Sequence, residues 1–222
     1  IVASLVGSEM CIRDSHFADL KQEKKSDVLK KFNLDKKKKY VSIMPGSRKS
    51  EIKNMMPTYK EFMNLYHHSN DDVHFLIPAV NQDDLQLIDS YLIDSKIKYK
   101  IDTNAAHEFL SLSDFSVVTS GTASLQSAVL GSHPIICYKT SFFNFFVISR
   151  MIQTEIIGLP NLLLPQKFFP ELLQNKCTPK NILLETQKLK INKFLLDQKT
   201  DLITKNLKGV GFDFLAESVI NL

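Results

Sequence analysis

Arginine, cysteine and long apolar runs are all scarce in this 222-residue chain, and each scarcity closes off a class of function. Its only arginines are Arg13, Arg48 and Arg150, so lysine supplies most of a basic balance that leaves a formal net charge of +4. Those lysines are scattered, apart from a run at residues 36–39 that reads as a solvated turn before a strand. Nucleic-acid recognition favours clustered arginines interleaved with aromatics, and with none here no nucleic-acid partner is expected. Cys11, Cys137 and Cys177 are odd in number and widely spaced, which gives neither a disulfide framework nor a zinc spacing and fits a reducing compartment. No run approaches the ~20 apolar residues of a membrane-spanning helix. The acidic pairs Asp71-Asp72 and Asp83-Asp84 lack a D-x-D order and read as solvated loop and helix-start acids, so no metal and no cofactor is expected.

From residue 40 the chain alternates short β-rich apolar runs with longer helical patterns, the signature of a parallel sheet covered by helices. Strands are expected at residues 40–44, 73–77, 98–101, 115–119 and 134–138, with helices at about 57–68, 82–92, 105–112 and 122–130. From residue 141 onward the pattern reads as helices broken by Pro160, Pro165, Pro170 and Pro179. The fold class that follows is α/β, a Rossmann-like parallel sheet with helices on both faces and a helical tail. Residues 1–15 stand outside this pattern. Their second half, from Gly7 to Ser15, resembles a translated sequencing-adapter scar and is set aside.

Three segments carry candidate chemistry. The first runs Pro45, Gly46, Ser47, Arg48, Lys49, Ser50, Glu51, Ile52, between an expected strand and a helical pattern. That puts a glycine turn and a planar cation at the carboxyl edge of a sheet, where open α/β folds bind ligands and where a guanidinium suits a phosphate. Glu51 also fits a helix-start carboxylate favoured by the dipole. The second segment, Ser120, Gly121, Thr122, Ala123, Ser124, Leu125, Gln126, is again strand, small-residue turn and helix; free backbone N–H groups with the Ser120 and Thr122 hydroxyls would make an anion site. By itself it reads more readily as a helix N-cap using the same Ser and Thr, but two such turns facing one crevice could hold a pyrophosphate. The third, Leu159, Pro160, Asn161, Leu162, Leu163, sets an asparagine among apolar residues, where its amide needs partners from protein or ligand.

In this order and spacing the segments resemble the lipid-A-disaccharide synthases, GT-B glycosyltransferases of Gram-negative bacteria. The family pattern P-G-S-R-x-x-E-I stands at residues 45–52, S-G-T-A-x-L at 120–125, L-P-N-L-L at 159–163 and P-E-L-L-Q at 170–174. The resemblance covers the family's C-terminal, nucleotide-sugar-binding half. It implies a UDP-sugar domain at residues 40–188, preceded by a linker or helix remnant at 16–39 and followed by a helical tail at 189–222, which would pack against the absent half or a second copy as in a homodimer. His16, Phe17, Ala18 and Asp19 resemble a remnant of a G-H-P-x-x-D segment near the domain join, without its proline.

The same resemblance implies the reaction: UDP-2,3-diacylglucosamine joined to 2,3-diacylglucosamine 1-phosphate with inversion and release of UDP, without a metal. Arg48 would neutralise the departing pyrophosphate and Asn161 would orient the nucleotide sugar. Gly46 and Ser47 would admit the phosphates, Ser120, Gly121 and Thr122 would donate to them, and Glu51 matches the family's acidic position. Where the family usually carries glutamate, Gln126 offers one acceptor oxygen and a weaker or altered ribose contact. The general base is expected in the N-terminal half. The substrates are lipids, so a cytoplasmic protein in peripheral contact with the inner membrane is expected, and the aromatic stretch at residues 141–150 is either a core helix or a surface that meets acyl chains. Two alternatives stand: another GT-B transferase, such as one acting on peptidoglycan precursors, which the third and fourth motifs disfavour, and a nucleotide-binding module without catalysis.

Overall fold

The computed structural model describes residues 23–119, 121–139, 156–191 and 193–209. Residues 1–15, the segment from His16 to Asp19, Ser120, the aromatic stretch at 141–150 and the chain after residue 209 lie outside them. Six parallel strands form one sheet: β1 Lys39–Met44, β2 Val73–Ala79, β3 Tyr99–Thr103, β4 Phe115–Thr119, β5 His133–Tyr138 and β6 Glu171–Leu173, in the order β3-β2-β1-β4-β5-β6. The α-helices are α1 Lys25–Lys31, α2 Lys49–His68, α3 Gln82–Leu92, α4 Ala106–Leu112, α5 Thr122–Val129, the single turn α6 Leu159–Leu162, α7 Pro179–Ile191 and α8 Lys193–Gly209.

Side chains alternate along a strand, and in β1, β2, β4 and β5 both alternating sets are buried, as a parallel sheet between helices requires, while the edge strand β3 is half-buried. Tyr40 and Leu76 pack with Val28 and Phe32 at α1 and Phe109 and Leu112 of α4. The intervening Val41, Ile43, Phe75 and Ile77 join the larger core built by α2, α3, α5 and α7. The parallel α/β sheet expected from the sequence is the fold observed.

Helix α2 begins eight residues before the expected residue 57, because Pro57, which reads as a helix start, lies inside it. An interior proline costs about 3 kcal/mol. Burial of Ile52, Met55, Met56, Tyr59, Phe62, Met63 and Tyr66 along one stripe outweighs that, at about 1.5–3 kcal/mol for each large apolar side chain. The expected tail boundary at residue 189 falls inside α7, which packs on α2, while α8 packs on α5, so both helices belong to the body that covers the sheet. Strand β6, only three residues long, is too short to leave a periodic trace.

Candidate functional site

Strand β1 runs parallel to β4 with Met44 beside Val118, so the turns that follow them leave neighbouring strands on the same edge of the sheet. In an order of 3-2-1-4-5-6 the chain reverses direction across the sheet between β1 and β4, and ligands of open α/β sheets bind in the crevice at that switch point. The two glycine turns singled out in the sequence are therefore side by side, although the segments are far apart along the chain.

The first turn is closed by Glu51. Its Oε2 accepts from the backbone N–H of Ser47 at 3.0 Å and of Arg48 at 3.3 Å, and its Oε1 accepts from Arg48 Nη1 at 3.0 Å. This is the carboxylate half of a capping box; Arg48, which has no acceptor atom, cannot form the other half. Gly46 holds φ +117°, and a Cβ there would lie 2.6 Å from Glu51 Cβ and 2.5 Å from Oε2. Gly46 thus makes room for the Glu51 side chain, and Glu51 spends its carboxylate inside the protein. The Arg48 side chain is 78% exposed and shares one nitrogen with Glu51, so the rest of its donor fork faces outward.

The second turn is open. Gly121 has φ +141°, and an added Cβ would meet nothing among the described residues within 4 Å. Thr122 is the first residue of α5, whose initial N–H groups point toward this space, as at any helix start. Ser124 turns its hydroxyl back onto the Gly121 carbonyl at 2.7 Å. Gln126, one turn further on, is half-buried. Beneath the turn, Thr119 meets the Tyr59 hydroxyl at 3.1 Å, and burial holds the Tyr59 phenol well above its usual range, so it stays a neutral hydrogen-bonding group. Ser120 lies outside the described residues.

The third segment lies beside the second, because α6 packs on α5. Asn161 is fully buried and its amide is spent within the protein. Oδ1 accepts from the N–H groups of Phe168 and Phe169 at 2.9 and 2.8 Å, and Nδ2 donates to the Phe169 carbonyl at 2.9 Å and to Glu171 Oε1 at 2.7 Å. An asparagine side chain makes about four such bonds at most, so the structure gives Asn161 a structural occupation where a direct hold on the nucleotide sugar had been expected.

The Lipid-A-disaccharide synthetase family matches residues 16–210. The chain belongs to that family. Among its curated relatives, the lipid-A-disaccharide synthase of Sulfurihydrogenibium sp. (strain YO3AOP1) is 33% identical over 85% of this chain and 52% of its own length. That of Persephonella marina (strain DSM 14350 / EX-H1) is 30% identical over 72% of this chain and 44% of its own. The chain thus spans about half the length of the curated relatives it matches. In fold it is similar to a glycosyltransferase from Rickettsia africae ESF-5, with a TM-score of 0.58 at 10% identity over 94% of this chain and 53% of that one.

Two features of this family member escaped the sequence. Lys139 follows β5 on the carboxyl edge and donates to Thr58 Oγ1 at 2.7 Å, a contact no local pattern announces. Cys137 and Cys177, far apart along the chain, are both buried and close enough to influence each other: burial pushes the Cys137 thiol well up, and the neighbouring Cys137 draws Cys177 down. The acidic pairs are engaged as ordinary structure, Asp72 with Lys38 at 2.7 Å and Asp83 with Lys49 at 3.0 Å. Among the described residues no group of three or more His, Cys, Asp or Glu could hold a metal ion.

Proposed function

We propose that this chain is the donor-binding half of a glycosyltransferase of lipid A biosynthesis, which in the full-length protein joins UDP-2,3-diacylglucosamine to 2,3-diacylglucosamine 1-phosphate and releases UDP. The observation that carries the proposal is the pair of glycine turns leaving adjacent strands β1 and β4 at the switch point, with an outward-facing Arg48 on one and an open helix start on the other, in a chain of this family.

In this reading the diphosphate bridges the two turns. The α5 N–H groups and the Gly121 backbone receive one phosphate, with the hydroxyls of Ser120 and Thr122, and the free edge of the Arg48 guanidinium receives the other. As the bond between the anomeric carbon and UDP breaks, negative charge grows on the diphosphate. A cation placed there therefore stabilises the transition state more than the ground state and raises the rate rather than only the affinity. Glu51 orients the guanidinium. Gln126 meets the ribose with one acceptor oxygen and an NH2 group. The acceptor's hydroxyl is deprotonated by a base from the other half, and inversion follows from an α-linked donor and a β-linked product. Peripheral contact with a bilayer fits lipid substrates; no helix among the described residues is long and apolar enough to cross one.

The test is a calorimetric titration of UDP, with GDP as control, into the chain and into Arg48→Ala. The expected result is UDP-selective binding that the variant weakens about ten- to a hundredfold, the scale of one charge-assisted hydrogen bond at about 1.5–3 kcal/mol. A folded chain that binds neither nucleotide, or binds both equally, overturns the reading.

A further inference from the structure

Strand β6 contributes a charge that neither the proposed chemistry nor the fold requires on its face. The Glu171 side chain is fully buried on a three-residue edge strand. Its Oε1 accepts from the Gly158 N–H at 3.0 Å and from Asn161 Nδ2 at 2.7 Å; its Oε2 accepts from the Ile157 N–H at 3.0 Å and pairs with Lys167 Nζ at 3.3 Å. Burying a carboxylate costs several kcal/mol unless it is paired and hydrogen-bonded, and an apolar residue of similar size would fill the same space without that cost. Four donors gathered from residues 157, 158, 161 and 167 offset the cost. What the carboxylate supplies in return is a fixed position. With Asn161, it ties the turn at residues 157–158 to the segment at 168–169. Gly158 seals the arrangement, since a Cβ there would lie 2.9 Å from Glu171 Oε1 and 2.3 Å from Ile136 Cδ1. The held turn leads into α6, which packs on α5, the helix that opens at Gly121.

We propose that Glu171 is a positioning residue of the donor site: its buried carboxylate, acting on the backbone of Ile157 and Gly158 and through Asn161, fixes the wall that flanks α5, so that Asn161 serves the nucleotide sugar by shaping this wall and not by touching it. The inference rests on the donor-site reading above. Glu171→Gln keeps the size but replaces one acceptor oxygen by an NH2 group that faces two N–H donors or the Lys167 ammonium, so the turn is released.

The experiment measures UDP affinity by calorimetry for the chain, for Glu171→Gln and for Gly158→Ala, each confirmed as folded by its far-UV spectrum at the titration temperature. Gly158→Ala is the second variant because both atoms its Cβ meets are ends of side chains, so it displaces the carboxylate while keeping its charge. Both variants are expected to bind UDP at least tenfold more weakly, whereas Glu185→Gln, which removes an exposed-side partner of Lys188 on α7, leaves affinity unchanged. A purely structural Glu171 would lower the thermal midpoint and leave the affinity of the folded protein as it was; that result in whichever variants fold overturns the inference alone. Absence of UDP binding by the unaltered chain overturns the donor-site reading and this inference with it.

Discussion

The two flanks of the candidate site are built on opposite principles. At the turns after β1 and β4 the polar groups are exposed and partly unspent: Arg48 is 78% exposed with one nitrogen engaged, and none of the described residues fills the space beside Gly121. At β5 and β6 they are buried and fully engaged, with Asn161 and Glu171 facing each other and two loop segments. The contrast separates two jobs that look alike in a sequence. A polar residue that is to meet a ligand keeps its capacity free at some cost in order; one that is to shape a wall must have its capacity filled, because an unmet buried group costs about 1–3 kcal/mol.

Stability should register this contrast first. Asn161→Ala strands two N–H groups, a carbonyl and one bond to Glu171, and is expected to lower the unfolding free energy by about 3–5 kcal/mol in chemical denaturation. Arg48→Ala should change it by less than about 1 kcal/mol, since the Arg48–Glu51 pair is a surface pair. Equal losses at the two positions would erase the distinction. The glycines sharpen it at the next level. Gly46→Ala meets both a left-handed φ and the Glu51 side chain, whereas Gly121→Ala meets the backbone strain alone, about 1–3 kcal/mol. Gly46→Ala is therefore expected to be the more destabilising in thermal melts and Gly121→Ala the more damaging to UDP affinity, its methyl group entering the open space. The reverse ranking would move the ligand to the β1 turn alone.

The smallest effect is a control at the opposite edge. His74, near the start of β2, has its pKa lowered from 6.5 by burial and then by Lys98 and Lys38, with Asp35 acting the other way and His67 adding a little to the lowering. The unfolded chain therefore binds the proton more readily than the folded one. The contribution of neutral His74 is complete above about pH 6.5 and is lost as pH falls through the lower folded value. His74→Phe should flatten the loss of thermal midpoint between pH 7.5 and 5.5 while leaving UDP affinity unchanged; an equal pH dependence in the variant would assign the loss to other groups.

Much of this was legible in advance because it is local. Strand runs, helical stripes and glycine turns are written in periodicity and turn chemistry over a few residues, and the strands expected at residues 40–44, 73–77, 98–101, 115–119 and 134–138 each overlap a strand that formed, with β3 starting at Tyr99 and running on to Thr103. Pro57 misled because propensity is a local preference that a buried stripe can override. Strand β6 and the true extent of α7 were hidden for a related reason: three residues make no period, and a helix declares its partner only by packing.

The sequence alone therefore determined the parallel α/β class, the two glycine turns with their single arginine, and the family. Tertiary structure decided which groups meet. Pairing of β1 with β4 brought the turns together, and docking of β6 on β5 carried Glu171 to Asn161 and Cys137 close to Cys177. It also settled that Glu51 closes its own turn and that Asn161 is spent within the wall. The physical reason is that a side chain's type fixes what it can bond, whereas its burial and its neighbours, set by contacts between distant segments, fix what it has left to offer.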